Sequence, residues 1–156
     1  MKKFDLTKLL TYIVTAELVG AFSALVAGGN FKEFYQKLVM PPIAPPSWVF
    51  PVAWAILYAI MGTAAFIVSE QNHENTKKAM YIYTAQLFIN FLWSPVFFGL
   101  GSLTGGVIVA AILVGAVVLN IIFFAKISDT AALMLIPYLI WSAYALYLSI
   151  GFRVLN

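Results

Sequence analysis

Two side-chain amides, Gln86 and Asn90, stand four residues apart in a largely apolar run, and Tyr83, Trp93 and Phe97 continue their spacing. At about 100° per residue on a helix, these five fall within a sector of roughly 80°. Amides inside a membrane must find hydrogen-bond partners. Interleaved with aromatic rings, they can tie helices together or orient a flat polycyclic ligand that stacks on the rings. A second aromatic face carries Phe50, Trp54, Tyr58 and Met61, spaced by four, four and three. A third carries Tyr138, Trp141, Ser142, Ala145 and Ser149, where small residues leave room for a ligand or for a neighbouring helix. Glu17 lies deep in the first apolar segment, where a carboxyl must face a polar interior or be protonated. A ligand or proton contact would satisfy it, and so would a hydrogen bond from a neighbouring helix.

Other chemistry is sparse. The chain has no cysteine, which excludes disulfides and thiolate catalysis, and its single histidine, His73, lies in a polar stretch. A lone loop histidine gives no reason to expect a metal site. No nucleophile–base pair or phosphate loop is recognisable.

The elements that must position these residues are membrane helices. The chain has 156 residues, of which 63% are hydrophobic and 10% charged, against about 25% charged in a soluble domain. Its mean hydropathy is +0.95. Five apolar segments, near 6–27, 48–69, 77–100, 103–125 and 129–152, are long enough to span a bilayer. They are too long for barrel strands, so the fold class expected is an all-α integral membrane protein, a five-transmembrane-helix bundle. The whole chain, 1–156, is expected to form one domain. The first segment imitates a secretory signal, but its length and Glu17 argue that it is retained. It also carries Ala16, Gly20, Ala24 and Gly28 at steps of four, a stripe that lets another helix approach closely. Ser94-Pro95 is expected to kink the third helix, with the serine satisfying a freed carbonyl.

The first connection is long. In it Phe31, Phe34, Tyr35 and Leu38 follow helical spacing between charged and polar residues, as expected of a short amphipathic helix over the bundle mouth or an interfacial anchor. Four of the seven prolines follow within Pro41–Pro46, predicting a stiff, extended linker, with Ser47 placed to cap the next helix. With the termini on opposite sides, one side holds Lys2, Lys3, Lys8, Lys77, Lys78 and Lys126, and the other Lys32, Lys37 and Arg153. The positive-inside rule then puts the N-terminus in the cytoplasm and the first loop and C-terminus outside, in the cell membrane. A net charge of +3 scattered at segment ends does not make a nucleic-acid surface.

The runs P-P-S-W-V-F-P-V-A-W-A-I-L-Y-A-I-M-G (45–62), A-Q-L-F-I-N-F-L-W-S-P-V-F-F-G (85–99) and P-Y-L-I-W-S-A-Y-A-L-Y-L-S (137–149) resemble the translocator protein family (TspO/MBR). Its members are also called tryptophan-rich sensory proteins and, in animals, peripheral benzodiazepine receptors. The resemblance covers essentially the whole chain, in order. It implies a five-helix bundle, often a homodimer, that binds porphyrins such as protoporphyrin IX or haem, with no obligatory cofactor, and isoquinoline or benzodiazepine-type ligands. The implied pocket lies under the first loop, between helices one, two, three and five. Carried over, Trp54 and Tyr58 form the helix-two wall. Gln86 and Asn90 supply polar contacts with Trp93 close by, and Trp141 and Ala145 are contacts from helix five. Tyr138 joins the aromatic set on the residue reading above. Some family members are reported to degrade protoporphyrin in light and oxygen, which would give Trp54 and Trp141 a catalytic part. Three functions stay open: a porphyrin-binding protein or sensor, a photo-oxidative enzyme, and a transporter. The last is least favoured, since no inverted repeat is visible. The sequence departs from the family pattern at Ile43, where a linker tryptophan is usual, and at Ser149, where asparagine is frequent. No strict sterol motif is present, so sterol binding is not expected.

Overall fold

A computed structural model describes residues 4–156. Lys2 and Lys3, which enter the charge count, lie outside the described residues. The described residues form α1 (Leu6–Val26), α2 (Phe31–Lys37), α3 (Val49–Ser69), α4 (Thr76–Ser94), α5 (Leu103–Ala125), α6 (Asp129–Met134) and α7 (Ile136–Leu155), with a π-helical turn over Pro95–Gly99 and no strands. Four stretches, Leu6–Val26, Val49–Ser69, Leu103–Ala125 and Asp129–Leu155, are long and apolar enough to cross a membrane. On α1, Leu10, Val14, Leu18, Phe22 and Leu25 form an exposed apolar stripe, which suits lipid and not water. The protein is an integral membrane protein whose solvent is the bilayer.

Local chemistry explains the helix ends. Asp5, Ser102 and Ser128 each accept from a backbone N–H three residues on, at 3.0, 3.0 and 3.3 Å. Ser47 does not cap α3 as expected: the helix follows a turn closed by Val49 N–H donating to Pro46 O at 3.1 Å. The segment expected as one helix over 129–152 is divided at Leu135, two residues before Pro137. Proline cannot donate to the preceding turn, so the ladder is interrupted there.

The third segment, expected to run to 100, leaves the α-helix at Ser94. Pro95 has no N–H for the carbonyl of Phe91, four residues earlier. The freed oxygen is satisfied not by Ser94 but by α1, whose Ser23 hydroxyl donates to Phe91 O at 2.6 Å. The π-turn then closes with Leu100 N–H on Pro95 O at 2.8 Å.

Packing pairs α1 with α3, α4 with α5, and α5 with α7. α1 and α3 cross closely at Gly62, where a Cβ would lie 2.6 Å from the Cα of Ile13 and 2.7 Å from the carbonyl oxygen of Tyr12. The core below it contains Met61, Ala64, Ala65, Val68, Val117, Phe124 and Leu135. A second cluster gathers Tyr35, Phe50, Trp93, Phe97, Leu148 and Phe152 at the other end of the bundle, under α2.

The proline linker is a strap with a turn in it, not a wholly extended segment. Ala44 N–H donates to Pro41 O at 3.2 Å, and Ile43 takes φ +59°, the left-handed region. The strap is fastened to α7. Tyr144 donates to Ile43 O at 2.5 Å and Tyr147 to Pro42 O at 2.8 Å. The Asn156 amide accepts from Val39 N–H at 2.8 Å and donates to Val39 O at 3.1 Å. From α2, Tyr35 donates to Pro45 O at 2.6 Å. Burial, with the nearby Tyr144 phenol, pushes the Tyr35 phenol up to about 12, so it remains a donor across the neutral range. Each phenol bond contributes about 0.5–1.5 kcal/mol. The double variant Tyr144→Phe/Tyr147→Phe is therefore expected to speed hydrogen exchange at Val39, Ile43 and Ala44 by about tenfold, while exchange in the α5 core stays unchanged.

Candidate ligand pocket

α1 and α3 touch at Ile13–Gly62 and part toward the strap. Two turns up, Gly20 abuts the ring of Tyr58. Beyond it α1 presents only Ala21, Ser23, Ala24 and Ala27, while α3 presents Phe50, Trp54 and Tyr58. The small side chains cannot reach across, and a cavity of about 380 Å³ remains. Asn90, Trp93, Ser94 and Phe98 close it on the α4 side, and Gly29 and Phe31 close it from above. The alanine and glycine stripe of α1 thus does two jobs. Ala16 is fully buried in the bundle core, whereas Ala24 faces the cavity. Gly28 lies past the helix end, with φ +91°.

The walls are ordered by rings. Phe31 packs on Phe98 at 4.7 Å and on Phe50 at 5.7 Å between centroids, both edge-on. Trp93 stacks on Phe97 at 5.0 Å. Trp54 is the hub: Tyr58 lies at 5.7 Å, Tyr138 at 6.2 Å and Trp141 at 6.4 Å, the last perpendicular to it.

The two amides are spent in a hydrogen-bond chain. Tyr58 donates to Asn90 Oδ1 at 2.6 Å, Asn90 Nδ2 donates to the Tyr138 oxygen at 2.7 Å, and Tyr138 donates to Gln86 Oε1 at 2.6 Å. Gln86 Nε2 ends the chain on the Met61 sulfur at 3.8 Å. The chain ties α3, α4 and α7 together. Of the eight residues singled out as ligand contacts, Trp54, Tyr58, Asn90 and Trp93 line the cavity. Gln86, Tyr138, Trp141 and Ala145 stand behind that wall: Gln86 and Tyr138 are fully buried, and Trp141 backs Trp54 and Phe50. On α1 the sequence offered only Glu17 as a contact; the small residues Gly20, Ala21, Ser23, Ala24 and Ala27 beside it, and Phe31 and Phe98, were missed as lining. The small-residue run equally describes a helix-packing seam, and Phe31 read as part of the amphipathic helix alone.

Among the described residues, Trp93 Nε1, Trp141 Nε1, the Ser142 hydroxyl and both polar atoms of the Asn120 amide are buried without a partner. A second hollow, of about 630 Å³, lies between α1 and α4 at the end away from the strap, against Tyr12, Met80, Tyr83 and Phe88. The hydroxyls of Thr11, Thr15 and Thr84 on its rim donate to carbonyls of their own helices at 2.7–2.9 Å. It is thus an apolar groove suited to lipid chains.

Apolar helices around an aromatic-walled, partly open cavity, with Gly29 and Phe31 above it, define a helical integral membrane protein with a small-molecule-sized hollow. The profile of the TspO/MBR family matches residues 12–155, and the chain belongs to that family. It is 35% identical over 143 residues to protein CrtK of Rhodobacter capsulatus, covering 90% of this chain and 88% of that protein. It is 37% identical over 139 residues to the tryptophan-rich protein TspO of Chlorobaculum tepidum, covering 83% and 87%. With the human translocator protein it shares 32% identity over 119 residues, covering 74% and 70%.

Proposed function

We propose that the protein is a membrane-embedded binding protein or sensor for porphyrins and related tetrapyrroles, which lodge in the cavity beneath Gly29 and Phe31. The observation that carries this reading is the cavity itself: about 380 Å³, within the usual 300–1,000 Å³ of ligand sites, and walled by Trp54, Tyr58, Trp93, Phe31, Phe50 and Phe98. Flat aromatic ligands stack on such rings. The names of its relatives, tryptophan-rich sensory protein among them, support a sensory role.

In this reading the chain is one unit with five spans. The fifth is α4, whose 19 residues extended by the five of the π-turn measure roughly 36 Å at the α-helical rise, enough for a hydrocarbon core of about 30 Å. α2 is an amphipathic lid, with Tyr35 buried and Lys32, Glu33, Gln36 and Lys37 exposed. The N-terminus is cytoplasmic, the strap and C-terminus lie outside the cell membrane, and the protein pairs as a homodimer. Lys78 and Lys126 support that orientation by gathering over the Phe123 ring, at 5.1 and 4.5 Å, at the end away from the strap.

The test is a titration with protoporphyrin IX, followed by the porphyrin's own absorbance band. Trp54→Ala is expected to weaken binding by about tenfold or more, since it removes a stacking wall. Ile43→Ala is expected to leave binding unchanged, because Ile43 is 78% exposed on the strap. The reverse order would move the site to the outside of the strap. A second reading, light- and oxygen-dependent degradation of the bound porphyrin, is favoured by one contact. Trp141 stands edge-on to Trp54, so an oxidised Trp54 would have a second electron donor one ring behind it. Equal bleaching of free and bound porphyrin under illumination would exclude it.

A further inference from the structure

Glu17 is the one ionisable carboxyl on the cavity wall, and the chain offers it nothing to hold. It sits at the middle of α1, one turn below Gly20, partly buried, at the end of the cavity away from Gly29 and Phe31. No lysine, arginine or histidine lines the cavity with it. The polar neighbours are engaged elsewhere: Ser23 with Phe91 O, and Tyr58 and Asn90 with each other. Among the described residues no hydrogen bond or ion pair reaches Glu17, so the expected tie to a neighbouring helix is absent. Of the other polar lining groups, the Ser94 hydroxyl has no bond and the Trp93 N–H is buried without a partner. Neither compensates a carboxyl across the cavity. An unpaired carboxyl in the membrane interior is costly, and such residues mark the place where a ligand or an ion supplies the missing partner. Small residues above it, Gly20, Ala21 and Ala24, leave the approach to the carboxyl open.

We propose that Glu17 makes the cavity selective for ligands that present a protonated nitrogen or an N–H donor at their inner end, and against ligands that would place an acid there. The inference rests on the cavity being a ligand site and adds the chemical class that its Glu17 end recognises. A free-base tetrapyrrole has its N–H groups at the centre of the macrocycle, so it would meet Glu17 with a ring face and not with an edge. A charged partner strengthens such a bond.

The test uses purified full-length protein in a neutral detergent, as wild type and Glu17→Gln, with tryptophan quenching as the readout. Two probes share a three-ring outline: 9-aminoacridine, cationic at neutral pH, and anthracene, neutral. Wild type is expected to prefer the cation, and Glu17→Gln to lower that preference by about tenfold or more, with anthracene binding changed less than about twofold. A preference unchanged in Glu17→Gln overturns the inference. Protoporphyrin IX is titrated in parallel to separate the two readings. If it and anthracene bind while Glu17→Gln leaves the cation unaffected, only the role of Glu17 falls. If Glu17-dependent cation binding appears without porphyrin binding, the role of Glu17 stands and the tetrapyrrole reading falls. If no probe binds, both fall. The thermal midpoint of Glu17→Gln, expected at or above that of wild type because an unpaired carboxyl is removed, checks that the variant is folded.

Discussion

Asn90→Leu is expected to lower the thermal midpoint of the detergent-solubilised protein by roughly 5–15 °C, corresponding to about 2–4 kcal/mol. Asn90 is the middle of the chain that joins three helices: it accepts from Tyr58 at 2.6 Å and donates to Tyr138 at 2.7 Å. Its loss strands the Tyr58 hydroxyl, which is buried and donates to no other group. Tyr138 suffers less, because it still donates to Gln86 at 2.6 Å. An unpaired buried donor costs more than a bond between paired groups contributes. The double variant Asn90→Leu/Tyr58→Phe is accordingly expected to recover part of the loss, and the double-mutant cycle to give a coupling of about 1–2 kcal/mol. Additive losses in the cycle would mean that the two side chains do not depend on each other. Ligand binding supplies a second readout, since Tyr58 and Asn90 both face the cavity.

Gly62→Val is expected to be as damaging for a different reason. A Cβ at position 62 would lie 2.6 Å from Ile13 Cα, 2.7 Å from Tyr12 O and 2.8 Å from Ile13 N. All three are backbone atoms, so no side chain can turn aside, and α1 must move away from α3. Overpacking of this kind costs about 1–3 kcal/mol, and more where backbone is displaced. The crossing is also the point from which the helices diverge to form the cavity, so the substitution should alter ligand affinity as well as stability. Gly115→Ala is the control: nothing lies within 4 Å of the Cβ it adds, and alanine is the better helix former by about 1 kcal/mol. It should leave unfolding unchanged or raise the midpoint slightly. Equal effects at Gly62 and Gly115 would show that the close crossing is not what holds α1 to α3.

Much of the local structure was legible because it depends on near neighbours. The faces of α3 and α7 follow from a spacing of three and four: Phe50, Tyr58 and Met61 are buried together, as are Tyr138, Ser142, Ala145 and Ser149. The break near Pro95 could be foreseen from its missing N–H, but its consequence could not. The freed carbonyl of Phe91 finds its donor in Ser23, 68 residues earlier in the chain. Reading within one helix pointed to Ser94 instead. The α1 stripe was ambiguous for a related reason. Small residues permit either a close helix or an empty space, and only the position of α3 distinguishes Ala16 from Ala24.

The sequence by itself determined that this is a helical membrane protein of the TspO/MBR type. Apolar length, helical period and three aromatic motifs in order are properties of consecutive residues, and they survive without knowledge of the partners. Only the tertiary structure decided what the strap-bearing stretch and the amides touch and what Glu17 faces. Whether Gln86 and Asn90 hold a ligand or hold helices depends on whether Tyr58 and Tyr138 reach them, 32 and 48 residues from Asn90 in the chain. In this fold they do, and the amides are occupied. Whether Glu17 is paired depends in the same way on what its neighbours bind. They bind one another, and the carboxyl is left facing the cavity.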